Sequence, residues 1–334
     1  MSDIEFKLGT FSNNGGGPFV GLVIGEKIYT LSTVVEAAEA QGGGKGPTTT
    51  AGIYEMLADW DANFDALCAV ADFVANDGRG DADWDCVATL SDLRVLPPIL
   101  NPSKMIYAAA NYGGHIREML NAGTARTEEE RANMLDRDKA RVRPYSFLKA
   151  PSSLAGAFDD IVIPPETQKV DWEVELALVI GRTAKRVPAE RALDYVAGYM
   201  TTNDVTARDA QSRPDWPTLR TDWFTGKSHD TFAPMGPYLV PTAFVPDYRA
   251  VQLTLKVNGE TKQDDPAGEM VFSAEEQIEH ASAQLALHPG DIISTGTPEG
   301  VGHGKGTYLN VGDIVEAEAA GLGAQRCQVV AEDA

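Results

Sequence analysis

The 334-residue sequence is poor in cysteine: Cys68, Cys86 and Cys327 stand far apart with no CxxC pair. An odd, scattered set argues against a disulfide framework and a thiolate zinc site, and points to a reducing compartment. No stretch approaches the roughly 18 apolar residues of a spanning helix. The opening Met1-Ser-Asp-Ile-Glu-Phe-Lys lacks the basic-then-apolar shape of a secretory leader, so a cytoplasmic location is expected. Basic residues are also scarce, 28 Lys and Arg against 49 Asp and Glu, for a net charge of -21. Nucleic acid and anionic membrane are therefore not expected partners. An anionic substrate would need a bound cation and local lysines or arginines. There is no GxSxG elbow and no HExxH, which removes the commonest serine hydrolase and zinc protease signatures. The glycine-rich Ser294–Gly304 is neither a P-loop, since Lys305 is followed by glycine, nor a GxGxxG dinucleotide fingerprint. His229, His280, His288 and His303 are scattered and receive no role.

What is present describes an ordinary globular chain, 43% hydrophobic and 23% charged, long enough for about two domains. Residues 1–100 read as a small α+β domain. Ile4, Phe6 and Leu8 alternate with charges, Phe19 to Ile24 is an apolar run, and Ile53 to Val70 carries apolar residues at helical spacing. Pro97, Pro98 and Pro102 mark the boundary. Residues 101–334 are richer in strands, including Val170 to Leu178 and a Val251 to Val257 strand ending in the tight turn Asn258-Gly259. A helix is expected around Ile278 to Leu285. Thr127 with Glu130 forms a capping-box pattern opening a charged helix to about Arg141. Strands without regular intervening helices favour a mixed, mostly antiparallel roll over a doubly wound sheet.

Glu173 and Glu175 are two apart on a strand and so share a face, with Trp172, Val174 and Leu176 opposite. Two such carboxylates, about 7 Å apart along the strand, repel one another when partly buried. Either both face water, or one is protonated, or a cation lies between them. A solvated strand face is the ordinary reading of such a pair. Asp204, ending another expected strand, supplies a third oxygen donor, and a set without histidine or cysteine suits Mg²⁺ or Mn²⁺.

His115 and Glu118, three apart in a helical turn, could form a base and its orienting carboxylate, although such a pair is commonly a surface contact. Arg208 and Gln211 could hold a carboxylate and a carbonyl, and Lys227 could add positive charge where an enolate develops. Ser294–Gly304 can present consecutive backbone N–H groups to an anion, or be a plain turn.

The order of these blocks carries more than any one of them. Asn111-Tyr with His115 and Glu118, then Phe147-Leu-Lys-Ala-Pro-Ser-Ser and Asp171-Trp-Glu-Val-Glu-Leu-Ala, resembles the fumarylacetoacetate hydrolase family. Asn203-Asp-Val-Thr-Ala-Arg-Asp-Ala-Gln, Gly226-Lys-Ser, Val257-Asn-Gly-Glu and Pro289-Gly-Asp-Ile-Ile-Ser-Thr-Gly-Thr-Pro-Glu-Gly-Val-Gly continue it. The resemblance implies a β-roll catalytic domain, usually homodimeric, with Mg²⁺, Mn²⁺ or Ca²⁺ held by Glu173, Glu175 and Asp204. It implies a dyad of His115 and Glu118 on a lid around 111–143, and substrate contacts from Tyr112, Arg208, Gln211, Lys227 and Thr297. Two departures stand out: the family's Gly-x-Asn-Tyr is Ala109-Ala110-Asn111-Tyr112, and the stretch from His115 to Phe147 is longer than in compact members. The expected activity is C–C hydrolysis of a 2,4-dioxo acid or related β-diketone, in the usual family setting of aromatic catabolism. The alternatives are isomerisation of a hydroxydienedioate or decarboxylation of an oxo acid at the same site, or a metabolite-binding roll without chemistry.

Overall fold

The computed structural model describes residues 4–13, 16–76, 87–121 and 143–332. The first alternating segment forms the strand Lys7–Ser12, starting later than the apolar pattern at Ile4. It pairs antiparallel with Pro18–Ile24, which pairs with Lys27–Thr30, and Arg94–Leu96 takes its other side. The helical spacing from Ile53 is realised in pieces: a turn Ile53–Met56, a 3-10 turn Leu57–Asp59 and the helix Trp60–Asn76. Asn63 holds this irregular entry, donating to the Met56 carbonyl and accepting from the Thr48 N–H, both at 2.7 Å.

The remainder is the expected roll. One sheet runs in the order Tyr145–Lys149, Met105–Ala109, Ile292–Ser294, Val174–Ile180, Val196–Asn203, Ala233–Met235, Leu154–Gly156. A second runs Glu260–Pro266, Gln252–Val257, Ile314–Ala319, Gly323–Ala331, Ile161–Ile163. Most pairs are antiparallel, and the parallel ones include Ile292–Ser294 with Met105–Ala109. The predicted hairpin turn is present, with φ of 52° at Asn258 and 79° at Gly259, the positive values that a two-residue turn demands. The later helix spans Ala274–Gln284 and is opened by a Ser273/Glu276 capping box. The charged helix expected over 127–141 lies outside the described residues.

Val174–Ile180 is the central strand and is buried on both faces. Val174, Leu176, Leu178 and Ile180 pack with the second sheet, whereas Ala177 and Val179 pack with the N-terminal helices. Each apolar cluster draws residues from both sides of the proline punctuation: Phe11 and Val95 join the first, Met105 and Met200 the second. The N-terminal segment thus backs the strand that carries the acidic pair, and water is kept from that face. Among the described residues, no helix is long and apolar enough to cross a membrane.

Candidate metal centre

Strand pairing brings the three carboxylates together. Glu173 precedes Val174–Ile180, Asp204 follows Val196–Asn203, and the antiparallel register sets Val174 opposite Asn203. The Asp204 N–H donates to the Glu173 carbonyl and the Glu173 N–H to Asn203 Oδ1, both at 2.8 Å. One oxygen from each of Glu173, Glu175 and Asp204 lies within 4.8 Å of the others. The three residues are 5%, 0% and 0% exposed, so the solvated-face reading is overturned. The expected continuous strand from Val170 is broken at Trp172 and Glu173, and the segment before the break, Val170–Asp171, pairs with Thr206–Ala207 instead.

Buried cations surround the cluster. Lys227, at the end of the short helix Trp223–Lys227, donates to Asp204 Oδ2 at 2.6 Å and Glu173 Oε2 at 3.1 Å. Lys149, ending the strand Tyr145–Lys149, donates to Asp204 Oδ1 at 2.5 Å and to the Val205 carbonyl at 3.1 Å. Arg208 bonds Glu173 Oε1 through Nη2 and Asp171 Oδ2 through Nε at 2.9 Å. Burial acts to raise the pKa of Glu173, but the charges of Lys227 and Arg208 override it and hold that carboxyl at about 2. Burial drives Lys149 down to about 8 despite the opposing pull of Asp204. Lys227 is pushed the other way: burial opposes its charge, and Asp204 and Glu173 more than restore it.

Glu175 is the exception. Burial, then the charges of Asp204 and Glu173, push its pKa well above the usual carboxylate range. Its Oε2 accepts from Ser294 Oγ and from the Gly296 N–H at 2.9 Å, while Oε1 is buried without a hydrogen-bond partner among the described residues. A carboxylate oxygen stranded between two other acidic oxygens is costly unless protonated or bound to a cation. The donor set is all oxygen, and this fits a hard divalent ion.

The helix Gly113–Asn121 carries the expected dyad. His115 is buried, its Nδ1 has no hydrogen-bond partner among the described residues, and Glu118 Oε2 stands 4.0 Å away. Glu118 Oε2 instead accepts the Gly300 N–H at 2.8 Å. Next to the substituted glycine position, Ala109, the residue at x of Gly-x-Asn-Tyr is Ala110, which adopts a φ of 53°, a conformation L residues rarely take. Asn111 follows it, buried, donating through Nδ2 to the carbonyls of Thr295 at 2.7 Å and Phe272 at 2.9 Å.

The other candidates divide. Arg208 lies at the cluster, engaged by the protein's own carboxylates. Gln211 is buried: its backbone carbonyl accepts the Asp222 N–H at 2.8 Å, and Gly226 packs directly on its side chain. Thr297 donates to the Val174 carbonyl at 2.9 Å and accepts from Gln263 Nε2 at 2.8 Å, which places it in the frame of the central strand. Tyr112 reaches the Ala267 carbonyl at 3.5 Å, and burial, then the charge of Glu175, keeps its hydroxyl protonated. The Ser294–Gly304 segment does present N–H groups to anions, and in this structure those anions are Glu175, Glu118 and Asp171.

Sequence reasoning gave no role to Lys149, Asp171 or Ser294. Lys149 sits inside the Phe147-Leu-Lys block and Asp171 directly before Trp172, but nothing local says that either is buried against a charge.

The family model described as fumarylacetoacetate (FAA) hydrolase C-terminal matches residues 104–330. A maleylpyruvate hydrolase of Aquipseudomonas alcaligenes is 39% identical over 240 residues, 70% of this chain and 75% of the relative. A mitochondrial oxaloacetate tautomerase of Bos taurus is 38% identical over 235 residues, 70% of this chain and 68% of the relative. Among solved structures, a fumarylacetoacetate hydrolase from Exiguobacterium antarcticum superposes with a TM-score of 0.71 at 31% identity, covering 98% of this chain and 100% of that one. Matching blocks, roll and extent of alignment agree, and the chain belongs to the fumarylacetoacetate hydrolase family.

Proposed function

We propose that this chain is a divalent-metal-dependent hydrolase that cleaves a C–C bond in a 2,4-dioxo acid or related β-diketone of the acylpyruvate type. The observation that carries the reading is the buried Oε1 of Glu175, unpartnered among the described residues, within a three-carboxylate cluster. Glu173, Glu175 and Asp204 would hold Mg²⁺, or Mn²⁺ or Ca²⁺ in its place. When bound, such an ion supplies Lewis-acid polarisation of substrate oxygens and stabilises developing negative charge.

Formal charge supports an anionic substrate. Asp171, Glu173, Glu175 and Asp204 face Lys149, Lys227 and Arg208, so a protonated Glu175 leaves the buried set neutral. A divalent ion together with an ionised Glu175 makes the set positive by one, and an oxo acid carboxylate cancels that charge. The overall charge of -21 is thereby answered locally.

His115 takes a proton from water, and the hydroxyl so formed attacks the distal carbonyl carbon. When the C–C bond breaks, its electron pair leaves on the fragment that retains the oxo acid, and the imidazolium returns the proton to that carbon. Glu118 orients the imidazole; a separation of 4.0 Å without substrate is compatible with this, because catalytic hydrogen bonds often tighten only in the complex. Lys227, charged and buried between Asp204 and Glu173, keeps positive charge where the leaving fragment becomes an enolate.

The likeness to an oxaloacetate tautomerase favours a second reading, in which the same residues move a proton without admitting water. A screen of acylpyruvates, oxaloacetate and hydroxydienedioates with Mg²⁺ or Mn²⁺ separates them. Release of two acids supports hydrolysis, a tautomer alone supports isomerisation, and CO₂ supports decarboxylation. No turnover across the panel would leave a metabolite-binding roll. We further propose that the protein works as a homodimer within aromatic catabolism, which sedimentation and the substrate screen would test.

A further inference from the structure

Asp171 plays no part in the chemistry above, yet it is fully buried and densely bonded. It accepts from Arg208 Nε at 2.9 Å, with Arg208 Nη2 at 2.8 Å, and from the backbone N–H groups of Trp172 at 2.9 Å, Gly302 at 2.7 Å and His303 at 3.0 Å. Arg208 Nη2 also reaches Glu173, which Lys227 shares. The two carboxylates are therefore unequal partners for the arginine. Asp171 takes one edge of the guanidinium and is itself pinned by three backbone donors.

The turn that pins it tolerates only glycine at its close approaches. A Cβ at Gly302 would lie 2.1 Å from the Thr307 carbonyl oxygen and 2.8 Å from Asp171 Oδ1. Gly300, at a φ of 104°, would place a Cβ 1.9 Å from the Lys262 carbonyl oxygen. That same Gly300 donates its N–H to Glu118. One backbone turn thus bonds both the carboxylate of the dyad helix and the carboxylate behind Arg208.

We propose that Asp171 is a positioning residue: it retains Arg208 at the site once Glu173 is committed to a cation, so that the Nη2 N–H freed from Glu173 faces an anionic substrate. The inference rests on the metal reading of Glu173. Its physical basis is that a divalent ion repels a neighbouring guanidinium, so retention requires a counter-charge outside the ligand set. Asp171 is placed to supply it and, being held by backbone, does not follow the arginine outward.

The Arg208 Nε–H reports the contact directly. In full-length protein labelled with ¹⁵N-arginine, with Arg208→Lys identifying the resonance, this proton is expected to exchange with water at least about tenfold more slowly than those of exposed arginines. The protection is expected to survive saturation with Mg²⁺. Loss of protection on loading, with calorimetry showing Mg²⁺ bound, overturns the role of Asp171 while leaving the metal centre standing. Absence of Mg²⁺ binding removes both.

Kinetics give a second test, with acetylpyruvate or whichever oxo acid the screen selects. Asp171→Asn is expected to raise KM about tenfold with kcat changed less than about threefold, and to add nothing in an Arg208→Gln background. Effects that multiply would mark a merely structural residue and overturn the proposal. Should Asp171→Asn fail to fold, the resonance of the unsubstituted chain still decides.

Discussion

The carboxylate cluster and the dyad helix serve one proposed reaction but are held in different ways. The cluster sits at strand ends whose register is set by backbone pairing, and its oxygens are bonded by buried lysines, an arginine, hydroxyls of Ser294 and Thr206 and the Gly296 N–H, with Glu175 Oε1 alone unpartnered among the described residues. An alanine at positive φ, Ala110, precedes the dyad helix, which carries a histidine whose Nδ1 has no partner among the described residues, 4.0 Å from a carboxylate engaged elsewhere. The cluster is assembled by folding, and the dyad has an interaction left to make. That division suits a site that must bind an ion permanently but align a base only on substrate.

If the division is right, substitutions in the two regions separate binding from turnover. Glu173→Ala is expected to abolish both metal binding and turnover. His115→Ala is expected to lower kcat by about 10²- to 10⁴-fold while calorimetry finds the metal affinity unchanged. Turnover undiminished in either variant breaks the assignment.

Lys149→Met probes the cluster from its charged surround. It strips Asp204 of a buried partner, and chemical denaturation without metal is expected to show a loss of about 3–5 kcal/mol, part of it recovered on adding Mn²⁺. An unchanged midpoint would mean that Lys149 contributes nothing to folding.

The elevated pKa of Glu175 sharpens the comparison through pH. Below that pKa the carboxyl is neutral, and a cation must displace its proton. Metal affinity is therefore expected to rise with pH, by about tenfold per unit while Glu175 remains protonated, with proton release visible as a buffer dependence of the calorimetric enthalpy. A flat profile would show that Glu175 is already ionised without the ion.

The smallest effect belongs to the start of the dyad helix. Ala110→Gly relieves a left-handed alanine and is expected to stabilise the fold by about 1 kcal/mol in urea denaturation. A loss of stability would show that the neighbouring contacts, not steric strain, govern this position.

Much of the fold was readable because its signals are local. Alternation marked the central strand, and Asn258-Gly259 marked a turn needing two positive φ values. The helix from Ile53 was legible as an apolar stripe, but not as three pieces, because the bonds from Asn63 back to Met56 and Thr48 across the irregular turn have no local signature. At the site, Glu173 and Glu175 were identifiable as neighbours on one face. The glycine-rich segment was recognisable as a source of N–H donors, whereas the identity of its acceptors was not.

By itself the sequence determined the carboxylate donors, their spacing along the strand and the order of the family blocks. These follow from covalent geometry and the two-residue period of a strand. Tertiary structure alone decided that the acidic face is buried and that Lys149, Lys227 and Arg208 meet it. It also decided that Asp171 stands behind the arginine. Those outcomes depend on segments far apart in the chain packing against one strand, and Coulomb interactions among buried groups are set by their final separation and by the water excluded between them.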